Sequence, residues 1–340
     1  MNKSLKGPLQ IGILGAAKIA RLFVEGIRPS AKVQVRAVAS RDAEKARSFA
    51  HDCGIPKVYA TYDSLLADSA IHAIYIPLPN NLHAQWSIRA VEAGKHVLCE
   101  KPLATSADDA EAMFAAARQN KVYLVEGYPY RAQPQTLKLR ELLAGDEIGR
   151  LQIVQASFGF PLSDAANIRL DPNLGGGALM DAGSYPVSLV RMIAGQRPAR
   201  AQAIARWTES GVDRTLVGSL EFSNGVLAQI ACSFAIARHR RATIIGDAGS
   251  ITTSYFNDTS TALPPILEVR RGTGPDAQQK TIETSAINGF LAEAEAFYDL
   301  IAYGWERWTG STPEESIDTM LMLEALAASA RQGSAIDIMA

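Results

Sequence analysis

The stretch LQIGILGAAKIA, residues 9–20, decides the fold. A mostly apolar run leads into Gly15 and then into small residues, a pattern that predicts a strand, a tight turn and a helix. Gly15 and Ala20 match the fingerprint G-x-G-x-x-G/A, with Ala17 in place of the middle glycine. A small residue there lets a pyrophosphate approach the N–H groups at the helix N-terminus, where the dipole favours negative charge. The stretch therefore predicts a dinucleotide site, and the alternative is an ordinary strand–helix turn of small residues.

The end of the second apolar run indicates which dinucleotide is bound. A site for NAD usually carries Asp or Glu here, whose carboxylate accepts from the ribose 2′-hydroxyl. This chain has Ser40 and Arg41, with Lys45 one helical turn further on. A hydroxyl and a guanidinium suit a 2′-phosphate, because Arg forms charge-assisted hydrogen bonds with phosphate. The pattern predicts NADP; Asp42 is the residue that would favour NAD, and Ser40 and Asp42 are also typical helix caps.

Short apolar runs alternate with helix-like segments over the first 125 residues. Strands are expected at 9–14, 33–39, 71–76, 96–100 and 122–126, and helices at 17–27, 42–53, 82–93 and 107–120. Such alternation implies a parallel sheet with helices on both faces. We therefore expect residues 1–125 to form an NAD(P)-binding α/β domain with a doubly wound sheet of the Rossmann type.

Residues 126–340 show a different pattern. A helix over 132–144 precedes strands at 151–160, 199–208, 214–222, 226–234, 240–245 and 250–255, and helices follow at about 287–304 and 313–331. Asn224-Gly225 lies between two of these strands, which is a strong hairpin signal. Successive hairpin strands predict a second α/β domain with a large, mostly antiparallel open sheet.

The composition excludes several classes of protein. The 340 residues include 34 basic and 35 acidic side chains, so the net charge of −1 disfavours nucleic acid or an anionic membrane as the main partner. No apolar run approaches the ~18 residues of a membrane span. Three cysteines without CxxC spacing argue against a disulfide framework or a zinc cluster. We therefore expect a cytoplasmic protein without a metal site.

A lysine motif ends the fourth apolar run, HVLCEKP over residues 96–102. Open α/β sheets bind ligands at the carboxyl ends of their strands, so Lys101 is expected to point at the reactive end of the cofactor. Pro102 is expected to fix the turn, with a cis bond as one option. The alternative is an exposed lysine in a loop.

The stretch LGGGALMDAGSYP, residues 174–186, carries the remaining candidate groups. Asp181 and Tyr185 are four positions apart, which puts both on one face of a helix. Pro186 prevents a regular helix through this point, so a kink or a new helix start is expected. A carboxylate, a phenol and Lys101 can form a proton relay for a carbonyl or an alcohol. The alternative is a helix N-cap followed by a packed tyrosine.

These motifs resemble those of the Gfo/Idh/MocA family of oxidoreductases, the glucose–fructose oxidoreductase, inositol dehydrogenase and rhizopine-catabolism proteins. The resemblance covers essentially the whole chain, through GILGAAKIA (12–20), YIPLPNNLH (75–83), EKP (100–102), EGYPYR (126–131) and NIRLDPNLGGGALMDAGSY (167–185). It is strongest to D-xylose dehydrogenases, dihydrodiol dehydrogenases and glucose–fructose-type oxidoreductases. Many other members have histidine where this chain and those relatives have tyrosine, here Tyr185.

The resemblance implies hydride transfer between nicotinamide C4 and a carbon of a sugar or cyclitol. Lys101 and Tyr185 would handle the proton with help from Asp181, and Arg169 would join these three in binding the substrate. Tyr62 would face the adenine, Pro77 and Leu78 the nicotinamide ribose, and Asn80 and His83 would lie beside it. The expected cofactor-binding residues are Gly15, Ala16, Ala17, Lys18, Ile19, Ser40, Arg41, Lys45, Tyr62, Pro77, Leu78, Asn80, His83, Glu100, Lys101 and Arg131.

A homo-oligomer is also expected, either a dimer or a dimer of dimers. The resemblance implies that residues 126–340 bind substrate and commonly pair through their open sheet. Alternation in 214–222 and 226–234 leaves one face small and mixed in polarity rather than strongly charged. Such a face suits a moderately polar partner surface, and two-fold pairing is the commonest way to cover it.

The expected activity is that of an NADP-dependent oxidoreductase acting on an aldose or related cyclic polyol at the anomeric carbon. Unperturbed Tyr and Lys have pKa values of about 10 and about 10.4, so either needs a lowered pKa to act as a base. Two enzymatic alternatives are a 3-ketoreductase for a nucleotide-activated sugar and a glucose–fructose-type enzyme that keeps NADP bound. An NADP-sensing regulator is the non-enzymatic alternative, but such relatives lose the lysine present here as Lys101.

Overall fold

The structure, a computed structural model, describes residues 7–164, 166–259 and 265–338. The chain divides into two units. The first comprises the residues up to Ala104, Asp108–Gln133 and Ile287–Pro313, and the second comprises Thr105–Ala107, Pro134–Ala286 and the residues from Glu314 onward. No helix in these described ranges has the length and hydropathy needed to span a membrane.

A parallel sheet with helices forms the first unit. Its strands are β1 Leu9–Leu14, β2 Val33–Ala39, β3 Lys57–Tyr59, β4 Ala73–Ile76, β5 His96–Glu100 and β6 Leu124–Gly127. They lie in the order β3-β2-β1-β4-β5-β6 and pair in parallel. The helices are α1 Lys18–Ile27, α2 Ala43–Cys53, α3 Tyr62–Leu66, α4 His83–Glu92, α5 Ala107–Gln119 and α8 Gly289–Tyr303. The strand order reverses between β1 and β4, where open α/β sheets bind their ligands.

Burial explains which of these elements the sequence predicts. Every residue of β4 is buried, as are four of the five in β5, so both strands are marked by continuous apolar runs. β3 and α3 were not anticipated, because Lys57 and Val58 are exposed and no buried run marks this short strand.

The last helix of the first unit, α8, lies in the part of the chain that the sequence assigns to the second domain. Phe23 of α1 stacks on Tyr75 with ring centroids 4.0 Å apart and meets Phe290 of α8 edge-on at 6.2 Å. Phe290 and Phe297 therefore share one core with α1, and the first unit also includes Asp108–Gln133. That residues 1–125 bind the nucleotide and 126–340 the substrate stays a prediction.

The second unit is built on one large sheet. Its strands are β7 Leu151–Gly159, β8 Arg200–Trp207, β9 Asp213–Glu221, β10 Leu227–Ser233, β11 His239–Gly246, β12 Gly249–Thr253, β13 Ile266–Arg271, β14 Gln278–Glu283 and β15 Ile336–Asp337. They lie in the order β14-β13-β12-β11-β7-β10-β9-β8-β15. Among the described strands of this second sheet, β7 and β10 form the one parallel pair. The helices are α6 Pro134–Ala144, α7 Ser184–Ala194 and α9 Pro313–Gln332. The predicted fold class is confirmed.

One face of this sheet is buried and the other is exposed. Leu216 of β9 and Ile230 of β10 are buried, whereas their neighbours Val217 and Leu227 are about half exposed. Ile204 of β8 lies opposite Val217 in the register and is 79% exposed. The alternation predicted from the sequence is thus observed, and the exposed face carries several aliphatic side chains.

Candidate functional site

The turn after β1 has the shape that the fingerprint requires. Gly15 has φ of 103°, a conformation that L side chains rarely adopt, and its N–H donates to the Ala39 carbonyl oxygen at 2.7 Å. A Cβ on Gly15 would lie 3.0 Å from Leu78 Cδ2 and 4.0 Å from the Tyr62 hydroxyl oxygen. Helix α1 begins at Lys18 after Ala17, which has no polar side chain to cap it. The N–H groups at this helix start therefore suit a pyrophosphate.

Of the residues after β2, some cap helix α2 and others remain as candidate cofactor ligands. Asp42 is the N-cap of α2, where its carboxylate accepts from the Lys45 N–H at 3.0 Å. Ser40 is buried, and its hydroxyl oxygen accepts from the Asp42 N–H at 3.3 Å. The side chains of Arg41 and Lys45 are exposed. The acidic residue that would favour NAD thus serves the helix, and two cationic side chains remain at this edge.

Tyr62 lies at the same edge of the sheet. Its hydroxyl is near Gly15, and its ring meets Trp86 edge-on with centroids 4.6 Å apart. Burial raises the pKa of Tyr62, and the nearby Arg41 partly offsets this. The structure therefore brings together Gly15, Arg41 and Tyr62, as a nucleotide site requires. Trp86 was not anticipated, because a tryptophan in a helix is ordinarily read as a core residue.

His83 joins two loops at the carboxyl ends of β4 and β5. Its Nε2 lies 2.8 Å from the Leu78 carbonyl oxygen and its Nδ1 lies 2.9 Å from that of Pro102. The ring is fully buried, and burial lowers the pKa of His83. A neutral imidazole donates from one nitrogen only, so it satisfies one of the two carbonyls at a time. His83 thus contacts both loops through its ring nitrogens. Its expected place beside the nicotinamide stays a prediction.

Two buried glutamates hold the loop that carries Lys101. Glu100 Oε1 accepts from the Tyr75 hydroxyl at 2.6 Å, and Glu100 Oε2 accepts from the Lys101 N–H at 3.3 Å. Glu126 Oε1 accepts from the Leu103 N–H at 2.9 Å. The peptide bond between Lys101 and Pro102 is cis, one of the two options left open by the sequence. Lys101 itself is half-buried at the end of β5.

Four further cofactor candidates lie near these loops. Pro77 and Leu78 follow β4 directly, and Asn80 opens the 3-10 helix before α4. Arg131 is 2% exposed and belongs to a 3-10 helix, Pro129–Ala132, that follows β6. The expected contact of Arg131 with the cofactor stays a prediction.

Glu293 of α8 is a third acid at the same end of the sheet, and the sequence did not reveal it. Its side chain is buried, and neither carboxyl oxygen has a hydrogen-bond partner among the described residues. Its Oε1 would lie 3.6 Å from a Cβ on Gly127. Burial, together with the charge of Glu100, raises the pKa of Glu293 well above its usual value of 4.5. The group is therefore held in its neutral form.

Glu293→Gln is expected to become more stable than the parent chain as pH rises. Because the folded-state pKa of Glu293 is raised, its stabilising contribution is complete below about pH 4.5 and is lost at higher pH. The difference in unfolding free energy should grow by up to about 1.4 kcal/mol per pH unit. Urea unfolding at a series of pH values measures it, with Glu111→Gln on the exposed face of α5 as the control. A difference that does not change with pH contradicts the assignment.

The glycine-rich loop of the second unit is shaped by Asp213 of β9. Gly177 has φ of 119°, and a Cβ there would lie 2.3 Å from Asp213 Oδ1. Asp213 Oδ2 accepts from the Leu179 N–H at 2.7 Å, at the start of the π-helical segment Leu179–Gly183. Burial raises the pKa of Asp213, and the Leu179 N–H opposes this. Asp213 thus anchors the segment that carries Asp181.

Asp181 is paired with Arg169. The guanidinium Nε donates to Asp181 Oδ2 at 2.7 Å, and the Asp181 side chain is 15% exposed. The Arg169 carbonyl oxygen accepts from the Gly177 N–H at 2.8 Å, so backbone and side chain of Arg169 both hold this segment. The structure therefore brings together two of the four predicted substrate-binding residues, Arg169 and Asp181.

Tyr185 lies in the first turn of α7, which begins at Ser184 directly after the π-helical segment. Pro186 follows it in the same turn, where the missing N–H costs no hydrogen bond, and this is the new helix start expected from the sequence. The phenol oxygen accepts from Asn257 Nδ2 at 2.7 Å, and the Arg240 guanidinium lies 4.0 Å from the ring centroid. Neither Asn257 nor Arg240 was anticipated.

The comparisons with known proteins agree with this geometry. The model of the GFO/IDH/MocA oxidoreductase family, described as an NAD-binding Rossmann fold, matches residues 9–128, and that of the GFO/IDH/MocA C-terminal domain matches residues 136–252. The chain is 36% identical over 337 residues to a D-xylose 1-dehydrogenase (NADP(+)) of Haloferax volcanii, covering 97% of this chain and all of the relative.

Solved structures show the same similarity. A 3-ketoreductase of Actinomadura kijaniata in complex with NADP and TDP-benzene is 28% identical with a TM-score of 0.85, covering 95% of this chain and 98% of that one. Its tyrosine-to-phenylalanine and lysine-to-alanine mutants match as well. An aldose–aldose oxidoreductase of Caulobacter crescentus, complexed with glycerol, is 26% identical with a TM-score of 0.86, covering 97% and 99%. On these matches, which span both units, the chain belongs to the GFO/IDH/MocA family of oxidoreductases.

Proposed function

We propose that the chain is an NADP-dependent dehydrogenase that oxidises an aldose, or a related cyclic polyol, at the anomeric carbon. The observation that carries this proposal is the match along the whole chain to a D-xylose 1-dehydrogenase, combined with Lys101, Asp181 and Tyr185 at the motif positions. When bound, the nicotinamide supplies the hydride acceptor. The anomeric C–H hydride and the hydroxyl proton then leave together, and the product is a lactone.

Tyr185 and Lys101 are the proposed proton-handling residues, and Asp181 with Arg169 orients the sugar. The lysine and tyrosine that were substituted in the Actinomadura ketoreductase stand one number higher in that chain than Lys101 and Tyr185 do here. Asp181 is one helical turn from Tyr185, and its ion pair with Arg169 fixes the carboxylate. A fixed carboxylate and guanidinium offer acceptors and donors for sugar hydroxyls.

NADP is the proposed cofactor, and Arg41 is its proposed determinant. Lys45 adds positive charge, while the Asp42 carboxylate is engaged as the cap of α2. Replacing Arg41 with alanine should weaken NADP binding roughly tenfold or more, because one charged hydrogen bond contributes ~1.5–3 kcal/mol. NAD binding should not change, since NAD has no 2′-phosphate.

Titration of both cofactors by fluorescence quenching measures this effect. Arg118→Ala, at an exposed arginine near the end of α5, is the matched control and should leave both affinities unchanged. An equal loss for NAD and NADP in Arg41→Ala would contradict the assignment.

The fate of the reduced cofactor, measured after the protein is incubated with NADP and an aldose, distinguishes the proposed dehydrogenase from related activities. The likeness to the 3-ketoreductase favours reduction of a nucleotide-linked keto sugar as a second candidate. The likeness to the aldose–aldose oxidoreductase favours an enzyme that passes hydride from one sugar to another through retained NADP. A dehydrogenase releases NADPH into solution, whereas the retained-cofactor enzyme leaves it in the protein fraction after gel filtration. A regulator would show no reduced nicotinamide at all with any aldose.

The proposed quaternary structure is a dimer formed with a second copy through the exposed sheet face. Val217, Leu227 and Ile204 would be covered there, and the neighbouring Gln155 and Gln229 side chains are hydrogen-bonded at 3.0 Å. Light scattering should give twice the chain mass of 36.5 kDa. Val217→Lys should shift the mass towards the monomer, whereas Tyr303→Lys, an exposed position of α8, should not. A monomer for the parent chain would contradict the proposal.

The proposed location of the protein is the cytoplasm.

A further inference from the structure

Arg240 occupies an unusual position for an arginine in a sheet. It alternates with exposed neighbours along β11 and points into the interior, where it is 4% exposed. Three aromatic rings surround its guanidinium, with centroids at 4.0 Å for Tyr185 and at 4.7 Å for both Phe158 and Tyr255. A desolvated cation over aromatic faces is a strong electrostatic feature, and one of these rings belongs to the proposed catalytic tyrosine.

Asn257 connects this guanidinium to the phenol oxygen of Tyr185. Arg240 Nη2 lies 3.2 Å from Asn257 Oδ1, and Asn257 Nδ2 lies 2.7 Å from Tyr185 Oη. Arginine has donors only, so the amide oxygen must face Arg240 and the amide nitrogen must face the phenol. The contact therefore fixes the amide orientation and makes the Tyr185 oxygen a hydrogen-bond acceptor.

Both contacts favour the charged form of the phenol. A phenolate accepts from the Asn257 amide more strongly than a phenol does, and the positive charge of Arg240 attracts it. Low exposure strengthens these effects, because little water screens them.

Asp181, His239 and Arg241 do not reverse this preference. Asp181 lies one turn away on the same chain segment, but Arg169 neutralises it at 2.7 Å. On β11, His239 and Arg241 flank Arg240 in sequence and are exposed. The Tyr255 hydroxyl donates to the Ser157 carbonyl oxygen at 2.9 Å, which holds it as a neutral phenol.

We infer that Arg240 and Asn257 are positioning residues that hold Tyr185 ready as the tyrosinate base of the reaction. The inference rests on the proposed function, in which Tyr185 takes the hydroxyl proton. The C1 hydroxyl of an aldose would give its proton to the phenolate oxygen, and C1 would give its hydride to bound oxidised NADP. The C1–O bond of the sugar then becomes the carbonyl of the lactone, NADPH is the reduced product, and Tyr185 is left as a neutral phenol.

Arg240→Met tests this directly, because Met fills the space between the rings without a charge. The ionisation of Tyr185 is followed by the near-ultraviolet absorbance of tyrosinate, taken as the difference from the corresponding Tyr185→Phe protein. In Arg240→Met this transition should move to higher pH by about one to three units, as expected when a cation within 4–6 Å is lost. The pH profile of kcat/KM for sugar oxidation should move in the same direction.

Three further variants separate charge from packing. Arg240→Lys retains the charge and should restore most of the shift. Asn257→Leu removes the amide donor at similar volume and should also shift the tyrosinate transition to higher pH. This variant provides the test if Arg240→Met does not fold. Arg241→Met, the next residue on the exposed side of β11, should leave the transition unchanged.

An unchanged tyrosinate transition in folded Arg240→Met and Asn257→Leu would overturn the inference. This readout needs no substrate, so it is independent of the proposed function. If Tyr185→Phe instead keeps full turnover, the proposed function fails in its assignment of the base, and the inference about catalysis falls with it even where the absorbance shift is observed.

Discussion

Replacing Tyr185 with phenylalanine is expected to lower turnover by at least about 10²-fold, the low end for the loss of a general acid–base group. The phenol oxygen is the atom removed, while the ring that packs against Phe158 and Arg240 is retained. The folded structure and NADP binding should therefore persist, because the change lies outside the Gly15 turn. Steady-state turnover with NADP and an accepted aldose, together with cofactor titration, measures both properties.

Tyr303→Phe provides the matched control for this change. Tyr303 is 61% exposed at the end of α8, so loss of its hydroxyl should leave turnover unchanged. Near-normal turnover in Tyr185→Phe would make the tyrosine a packing residue of α7 and would remove it from the proposed mechanism.

Lys101→Ala is expected to have an effect of similar size, at least about 10²-fold on turnover. The lysine stands at the end of β5 in a loop that Glu100 and Glu126 hold by backbone hydrogen bonds, so the loop does not depend on the lysine side chain. NADP should still bind. A small primary amine added to the buffer should restore part of the activity, because it supplies the missing donor and acceptor.

Lys280→Ala, at an exposed residue of β14, controls for general effects of charge removal. Turnover of Lys101→Ala within a few-fold of the parent chain would contradict the assignment. Loss of NADP binding in parallel with turnover would instead make Lys101 a cofactor ligand only.

The strands β1, β4 and β5 were predictable because burial leaves a nearly continuous apolar run in each of them. β1 begins and ends at the predicted residues, and so does β2, where Gln34 and Arg36 are exposed between buried apolar residues. β14 escaped prediction for the opposite reason, since Gln278–Glu283 is mostly exposed and carries no apolar alternation. The place of α8 in the first unit could not be predicted, because Phe290 meets Phe23 across a long stretch of intervening chain.

The candidate site was predictable where local sequence determines the chemistry. Gly15 and Gly177 are required by their backbone conformations, and Lys101, Asp181 and Tyr185 stand in the short stretches 96–102 and 174–186 that the sequence marks as candidates. Asn257 lies in an irregular segment after β12 and is brought to Tyr185 only by tertiary structure. Arg240 could have been noticed from one local feature of the sequence, because it is an arginine at an inward-facing position of an alternating strand.

The central claim, hydride transfer from an aldose to NADP, is tested most directly with a sugar that carries deuterium at C1. The parent enzyme is incubated with NADP and C1-deuterated D-xylose, followed by a panel of other aldoses labelled in the same way. We expect that reduced nicotinamide is formed, that it contains the deuterium at C4, and that an equal amount of lactone or its hydrolysis product appears. Absence of reduced nicotinamide with every aldose, or deuterium retained in the oxidised sugar, would contradict it.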